Sequence, residues 1–282
     1  PAAPYALQWA VTVCVLAIAL GASELAWRSA GYLPDVADSR YVWSRERDRA
    51  SSAWGRRALA IVGASRAQLG IDPRVLEEAL PAFDVAHLAI NAVPPLDVLK
   101  DLCTDPDFDG VVVCCATAPS LLAPRGVKGR RDVEYVAFYD AEYGTGAAIQ
   151  HRVHAEILAR LQSATVVSSA RLSLSTLLAT GFEPERLYLH MRYDRFRPAQ
   201  YRSRMSPSRL AEHRRERIAR TARQPRDLVT PERFGSVLTR EVAPLCKMLE
   251  ARGGEMILVR MPTTGEHWKM DQRAAPKKTY WD

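Results

Sequence analysis

ALAIVGASRAQLGIDP, residues 58–73, decides the fold. Its first six residues are a continuous apolar run ending at Gly63, as expected for a strand buried on both faces. Asp72-Pro73 then reads as an N-cap followed by proline at the first helical position, with Val75, Leu76, Ala79 and Leu80 at helical spacing. Residues 85–90 form a second apolar run. Pro94-Pro95 opens a helix to about Cys103, and residues 110–116 (GVVVCCA) make a third strand. Strand, helix, strand, helix, strand predicts an α/β domain, a parallel sheet with covering helices.

Upstream, residues 5–22 (YALQWAVTVCVLAIALGA) carry no charge, and none precedes Glu24. Eighteen residues at about 1.5 Å each span about 27 Å, close to a hydrocarbon core. Tyr5, Trp9 and Trp27 sit near its ends, where amphipathic aromatics favour the interface. The run exceeds the usual signal-peptide core, so residues 1–27 are expected to be a retained single-pass transmembrane helix. Residues 24–57 hold seven arginines against five acids, and this charge alone leaves the membrane side open. Residues 28–57, with Trp43 and Trp54, read as a connector that packs on the domain.

Downstream, residues 117–146 read as a long loop or insertion. Ile149, Val153, Ile157 and Leu161 recur every four residues and predict a helix over 147–162 that buries this stripe. His151 and His154 on that helix spell HxxH, and the expectation is a solvated face rather than a metal site. Residues 164–168 read as a short strand. Ser206-Pro207 opens a basic helix to about Arg223, and another helix over 231–252 stops at Gly253-Gly254. Residues 255–261 (EMILVRM) then give a further buried strand.

With 282 residues, 48% of them hydrophobic, the chain is long enough for a substantial core. Its net charge of +7 is local: residues 192–226 hold twelve arginines against Asp194, Glu212 and Glu216, an excess of nine, so the remainder sums to about −2. That distribution disfavours a nucleic-acid binder. Acids within the segment are too few to pair its arginines, so it is expected to form a docking surface built on Arg209, Arg214, Arg217 and Arg220. Membrane lipid, an integral membrane partner protein or a polysaccharide are its expected partners. The five cysteines have no metal-ligand spacing, and Cys114 and Cys115 should face opposite sides of a strand. No metal or cofactor is expected.

In an open parallel sheet, chemistry gathers beyond the carboxyl ends of the strands. Ser65 and Arg66 follow the first strand, Asn91 the second, Thr117 and Ser120 the third. A serine at a strand-to-helix turn can expose its hydroxyl, and Asn91 can donate to a developing oxyanion; the plain alternative is that both serve caps and turns.

The stretches ALAIVGASRAQLGIDP, VAHLAINAVPPLDVLKDL and DFDGVVVCCATAPS, with EMILVRMP, resemble an SGNH/GDSL hydrolase-like domain. The likeness is to its membrane-anchored branch, which works beside membrane-bound O-acyltransferases. The resemblance covers residues 58–120 and 250–262. It implies a three-layer α/β/α sandwich with a mainly parallel, flavodoxin-like sheet over residues 58–282. It also implies Ser65 as nucleophile, an oxyanion hole from the Ser65 N–H and Asn91, and Arg66 beside them. An extracytoplasmic, membrane-anchored acyl esterase or O-acyltransferase on glycan O-acyl groups follows, or a non-catalytic accessory subunit of the same fold. Three departures bear on the choice. No glycine falls in 92–94, CCATAPS replaces the third-block Gly-x-Asn-Asp, and no Asp-x-x-His follows the last strand. The base is therefore expected from His267, with Glu266 or Asp271 to orient it, or from beyond Asp282. Asp84 and His87 spell Asp-x-x-His in the second strand, and this is read as coincidence.

Overall fold

β1 (Arg57–Gly63) is the centre of the molecule, with both faces and both edges covered. A computed structural model describes residues 3–51, 55–143, 148–182, 188–223 and 229–281. Four parallel strands run in the order β2-β1-β3-β4: β2 (Phe83–His87), β3 (Val111–Cys115) and β4 (Glu255–Val259). Alternation along β1 splits the core. Ala60 and Val62 enter the larger cluster with Trp43, Leu99 and Leu249, while Leu59 and Ile61 enter the smaller one with Ala67 and Val85. Helices therefore lie on both faces, as the α/β/α expectation requires. Cys114 and Cys115 fall in opposite clusters and are free thiols, as their adjacency predicted.

The helices follow in chain order. α1 (Ala3–Ser29) is long and apolar enough to cross a membrane over residues 5–29, and none of its most apolar stretch is buried. α2 (Arg40–Ser51), α3 (Ser65–Gly70) and α4 (Pro73–Ala79) precede β2 or flank β1, and Asp72 caps α4 by accepting from Arg74 N at 3.1 Å. α5 (Leu96–Thr104) leads to β3, which α6 (Ala118–Leu121) and α7 (Arg131–Ala141) follow. A continuous helix comprises α8 (Ala148–Arg152), a π-helical stretch Val153–Leu158 and α9 (Ala159–Ala164). Then come α10 (Leu174–Ala179), α11 (Tyr201–Arg204) and α12 (Pro207–Ala222). α13 (Pro231–Val237) and α14 (Ala243–Glu250) lead into β4, and α15 (Gly265–Ala274) and α16 (Lys277–Tyr280) follow it.

Five expectations are refined or corrected. First, the connector packs on the domain as expected, and more deeply than its polarity suggests: α2 is buried because its charges are paired inside. Trp43 Nε1 donates to Leu88 O at 3.1 Å, and Arg47 bonds Asp101 at 2.5 Å and Asp105 at 2.8 Å. Breaking such a buried pair costs far more than a surface one. Trp54 lies outside the described residues. Second, the expected loop after β3 holds α6 and α7, and α7 packs its Tyr135 and Phe138 inward, with Tyr135 near Trp43. Third, residues 165–168 make turns and no strand.

Fourth, the helix over 148–164 buries the face opposite to the one its periodicity suggested. His151, Ala155 and Ala159 are inside, and Ile149, Val153, Ile157 and Leu161 are exposed. His151 is held by aromatic rings, stacking on Tyr143 at 6.1 Å and meeting Phe138 edge-on at 5.0 Å. Small alanines let the helix approach closely, and the rings of Phe138 and Tyr143 enclose its His151 face. Fifth, β4 is an edge strand, with Ile257 and Leu258 exposed.

Candidate active site

Gly63 closes β1 where there is no room for a side chain. A Cβ there would lie 2.8 Å from Ala67 Cβ and 2.9 Å from Cys115 O. This close approach lets the chain turn sharply into α3, whose first residue is Ser65. Ala67 N and Gln68 N donate to Ala64 O at 3.0 and 3.1 Å, and no side chain caps the helix. Ser65 is half-buried, and its hydroxyl makes no hydrogen bond among the described residues. β1 is also where the strand order changes direction, β2 lying on one side and β3 on the other. The turn holding Ser65 thus sits at a topological switch point, the usual place for a site in an open parallel sheet.

Asn91, also half-buried, follows β2. Its carbonyl accepts from Arg131 Nη2 on α7, and its side-chain amide makes no hydrogen bond among the described residues. Ala92 beside it has φ +62°, the left-handed region that favours glycine. Alanine holds that backbone shape here at a cost of about 1 kcal/mol. Thr117 and Ser120 are caps: Ser120 N donates to Thr117 Oγ1 at 3.3 Å, and Thr117 N to Ser120 Oγ at 2.8 Å.

Arg66 Nη1 lies 3.5 Å from Asp271 Oδ2, which also accepts from Thr263 Oγ1 at 2.9 Å. This contact ties α15 to the helix that Ser65 opens. His267 lies one turn before Asp271 on α15, yet no hydrogen bond joins it to Ser65, Glu266 or Asp271 among the described residues. Glu266 instead pairs with Lys269 at 2.7 Å. His267 lines a cleft of about 910 Å³ between α12 and the start of α15, with His213, Arg214, Arg217, Leu210 and Ile218. Neither the Arg214 nor the Arg217 guanidinium has a hydrogen bond or ion pair among the described residues. The cleft joins guanidinium groups to an apolar wall, a chemistry suited to an anion with an apolar part. Arg209 and Arg220 stand on the same helix, exposed outside the cleft.

No protein-family model, curated protein or solved structure matches this chain.

Sequence reasoning missed a buried charge cluster beside the turn. Arg195 is fully buried, donating to Asp38 Oδ1 at 2.8 Å and to His87 O at 2.6 Å. Arg131 lies 3.7 Å from the other Asp38 oxygen, and Gln68 Nε2 3.5 Å. Burial would raise the Asp38 carboxyl, but the Arg195 guanidinium, aided by Arg197 and Arg131, holds it below the ordinary range. His87 is fully buried, and burial, with the charge of Arg195, pushes it down to about 3. Asp84 is spent on Arg49, so the Asp-x-x-His of β2 is no catalytic pair. The signal for this cluster was the arginine count itself, but its partner Asp38 is 157 residues away in sequence. Among the described residues no three or more His, Cys, Asp or Glu side chains are gathered as a metal ion would need.

Proposed function

We propose that the chain is a membrane-anchored, SGNH-like acyl esterase or O-acyltransferase acting on glycan O-acyl groups, its domain on the extracytoplasmic side. The observation that carries this reading is the position of Ser65, at the head of α3 on the switch-point strand. Ser65 Oγ attacks the acyl carbonyl as its proton passes to a base. The oxyanion meets the Ser65 N–H and the Asn91 amide. Collapse expels the glycan hydroxyl and leaves an acyl-serine, which water or an acceptor hydroxyl then resolves. His267 is the candidate base, since the Arg66–Asp271 contact draws its helix to α3. The test is hydrolysis of p-nitrophenyl acetate and of an acetylated glycan by the purified full chain. Ser65→Ala should abolish turnover, and Asn91→Ala should lower it about 100-fold; equal rates in wild type and Ser65→Ala overturn the proposal.

A second reading, a non-catalytic accessory subunit, is favoured by the unpartnered Ser65 hydroxyl and by the commitment of Asp271 to Arg66. Here α12 docks the domain, through Arg209, Arg214, Arg217 and Arg220, to an acidic face of an integral membrane protein. Reversing Arg214, Arg217 and Arg220 to glutamate should then abolish co-purification of that partner, while Ser65→Ala leaves it intact.

A further inference from the structure

The helix over residues 148–164 turns its apolar stripe outward. Ile149, Val153, Ile157 and Leu161 are 81, 43, 57 and 50% exposed, a patch that water disfavours. The end of this helix is fastened to α1. Arg28 Nη2 donates to Ala164 O at 2.8 Å, and the Val166 and Val167 amides donate to the Glu24 carboxylate at 2.9 Å each. Glu24 and Arg28 belong to the last turns of α1, so residues 164–167 sit at the level where that helix would leave a bilayer. A helix rising from that point into water would offer lipid only its final turn. The stripe instead runs the full length, with the exposed Glu156–Arg160 pair beside it (3.3 Å).

We infer that the 148–164 helix lies in the membrane interface, its apolar stripe seated among lipid headgroups and the first acyl carbons. The assignment rests on α1 being a membrane anchor, as in the proposed function. It adds that the domain is held against the bilayer at two places, the anchor and this helix, rather than swinging on a tether.

The test uses the full chain in phosphatidylcholine–phosphatidylglycerol nanodiscs, with the environment-sensitive dye NBD on Ile157→Cys or, as a control, on Arg240→Cys. Cys14 and Cys246 are first replaced by alanine. Cys103, Cys114 and Cys115 are buried, and burial pushes the Cys103 and Cys115 thiols up to about 12 and about 11, so they resist labelling. The Ile157 label should emit to the blue of the Arg240 label. It should also be quenched by nitroxide-bearing lipid and be about threefold less accessible to aqueous iodide. Water-like emission at Ile157 overturns the inference. So does blue-shifted emission without lipid quenching, which would mark a protein partner on the stripe. Carbonate extraction scores α1 separately: an extractable chain brings down the anchor reading and this inference together, whereas a water-like label in an integrated chain counts against the helix alone.

Discussion

The two halves of the Arg-rich segment have similar composition and opposite fates. Arg192, Arg195 and Arg204 in the first half are drawn into the domain. Arg192 pairs with Asp72 and Asp194 at 2.5 and 2.6 Å, Arg195 with Asp38, and Arg204 donates to Gly31 O just after α1. In the second half, α12 buries no residue, and Arg214, Arg215, Arg217 and Arg220 meet no carboxylate among the described residues. The arginines expected from the sequence to form a docking surface, Arg209, Arg214, Arg217 and Arg220, all stand on α12, in the second half; Arg226 lies outside the described residues. Counting opposing acids nearby in sequence misleads, because Asp194 is joined by acids arriving from residues 38 and 72. An arginine's surroundings are set by what the fold brings to it: carboxylates for Arg192 and Arg195, solvent for Arg214, Arg217 and Arg220.

Removing a buried partner should matter most. Arg195→Ala leaves Asp38 buried without its main partner and should cost about 3–5 kcal/mol in urea melts of the detergent-solubilised chain. A loss below about 1 kcal/mol would erase the distinction between the halves. The same cluster sets a pH dependence. His87 titrates near 3 in the fold against an ordinary value of about 6.5, so the unfolded chain binds the extra proton between them. Its contribution is fully present above about pH 6.5 and is lost as pH falls toward 3; Asp38, also held low in the fold, loses its contribution below about pH 4. Melts at pH 7, 5 and 4 should show falling stability, flattened over pH 5–7 in His87→Leu; an unchanged slope in that variant would remove His87 from the account.

Smaller effects sharpen the boundary. Arg192→Ala breaks two ion pairs that keep some contact with solvent and should cost about 1 kcal/mol. Arg220→Ala should change stability by less than about 0.5 kcal/mol. A loss at Arg220 as large as that at Arg192 would mean that α12 is structural as well.

The sheet was legible because its signals are local: the apolar runs before Gly63 and over 110–116, the Asp72-Pro73 cap and the Pro-led α5 all form at the expected residues. Ser65 could be placed at its turn for the same reason. Ala92 gave no such signal, since its left-handed turn is made by a residue that rarely adopts that backbone. What was not legible depends on distant contacts. α2 reads as a polar connector until Asp101 and Asp105 neutralise Arg47 from 54 and 58 residues away. Periodicity found the 148–164 helix but could not say that the rings of Phe138 and Tyr143 would claim its His151 face.

The proposed role of Ser65 as nucleophile is tested most directly by labelling of the folded full-length chain with a fluorophosphonate. Intact-mass and peptide analysis should show one adduct, on Ser65, absent in Ser65→Ala and in unfolded chain. No adduct at Ser65, under conditions that label a serine hydrolase run in parallel, would contradict it.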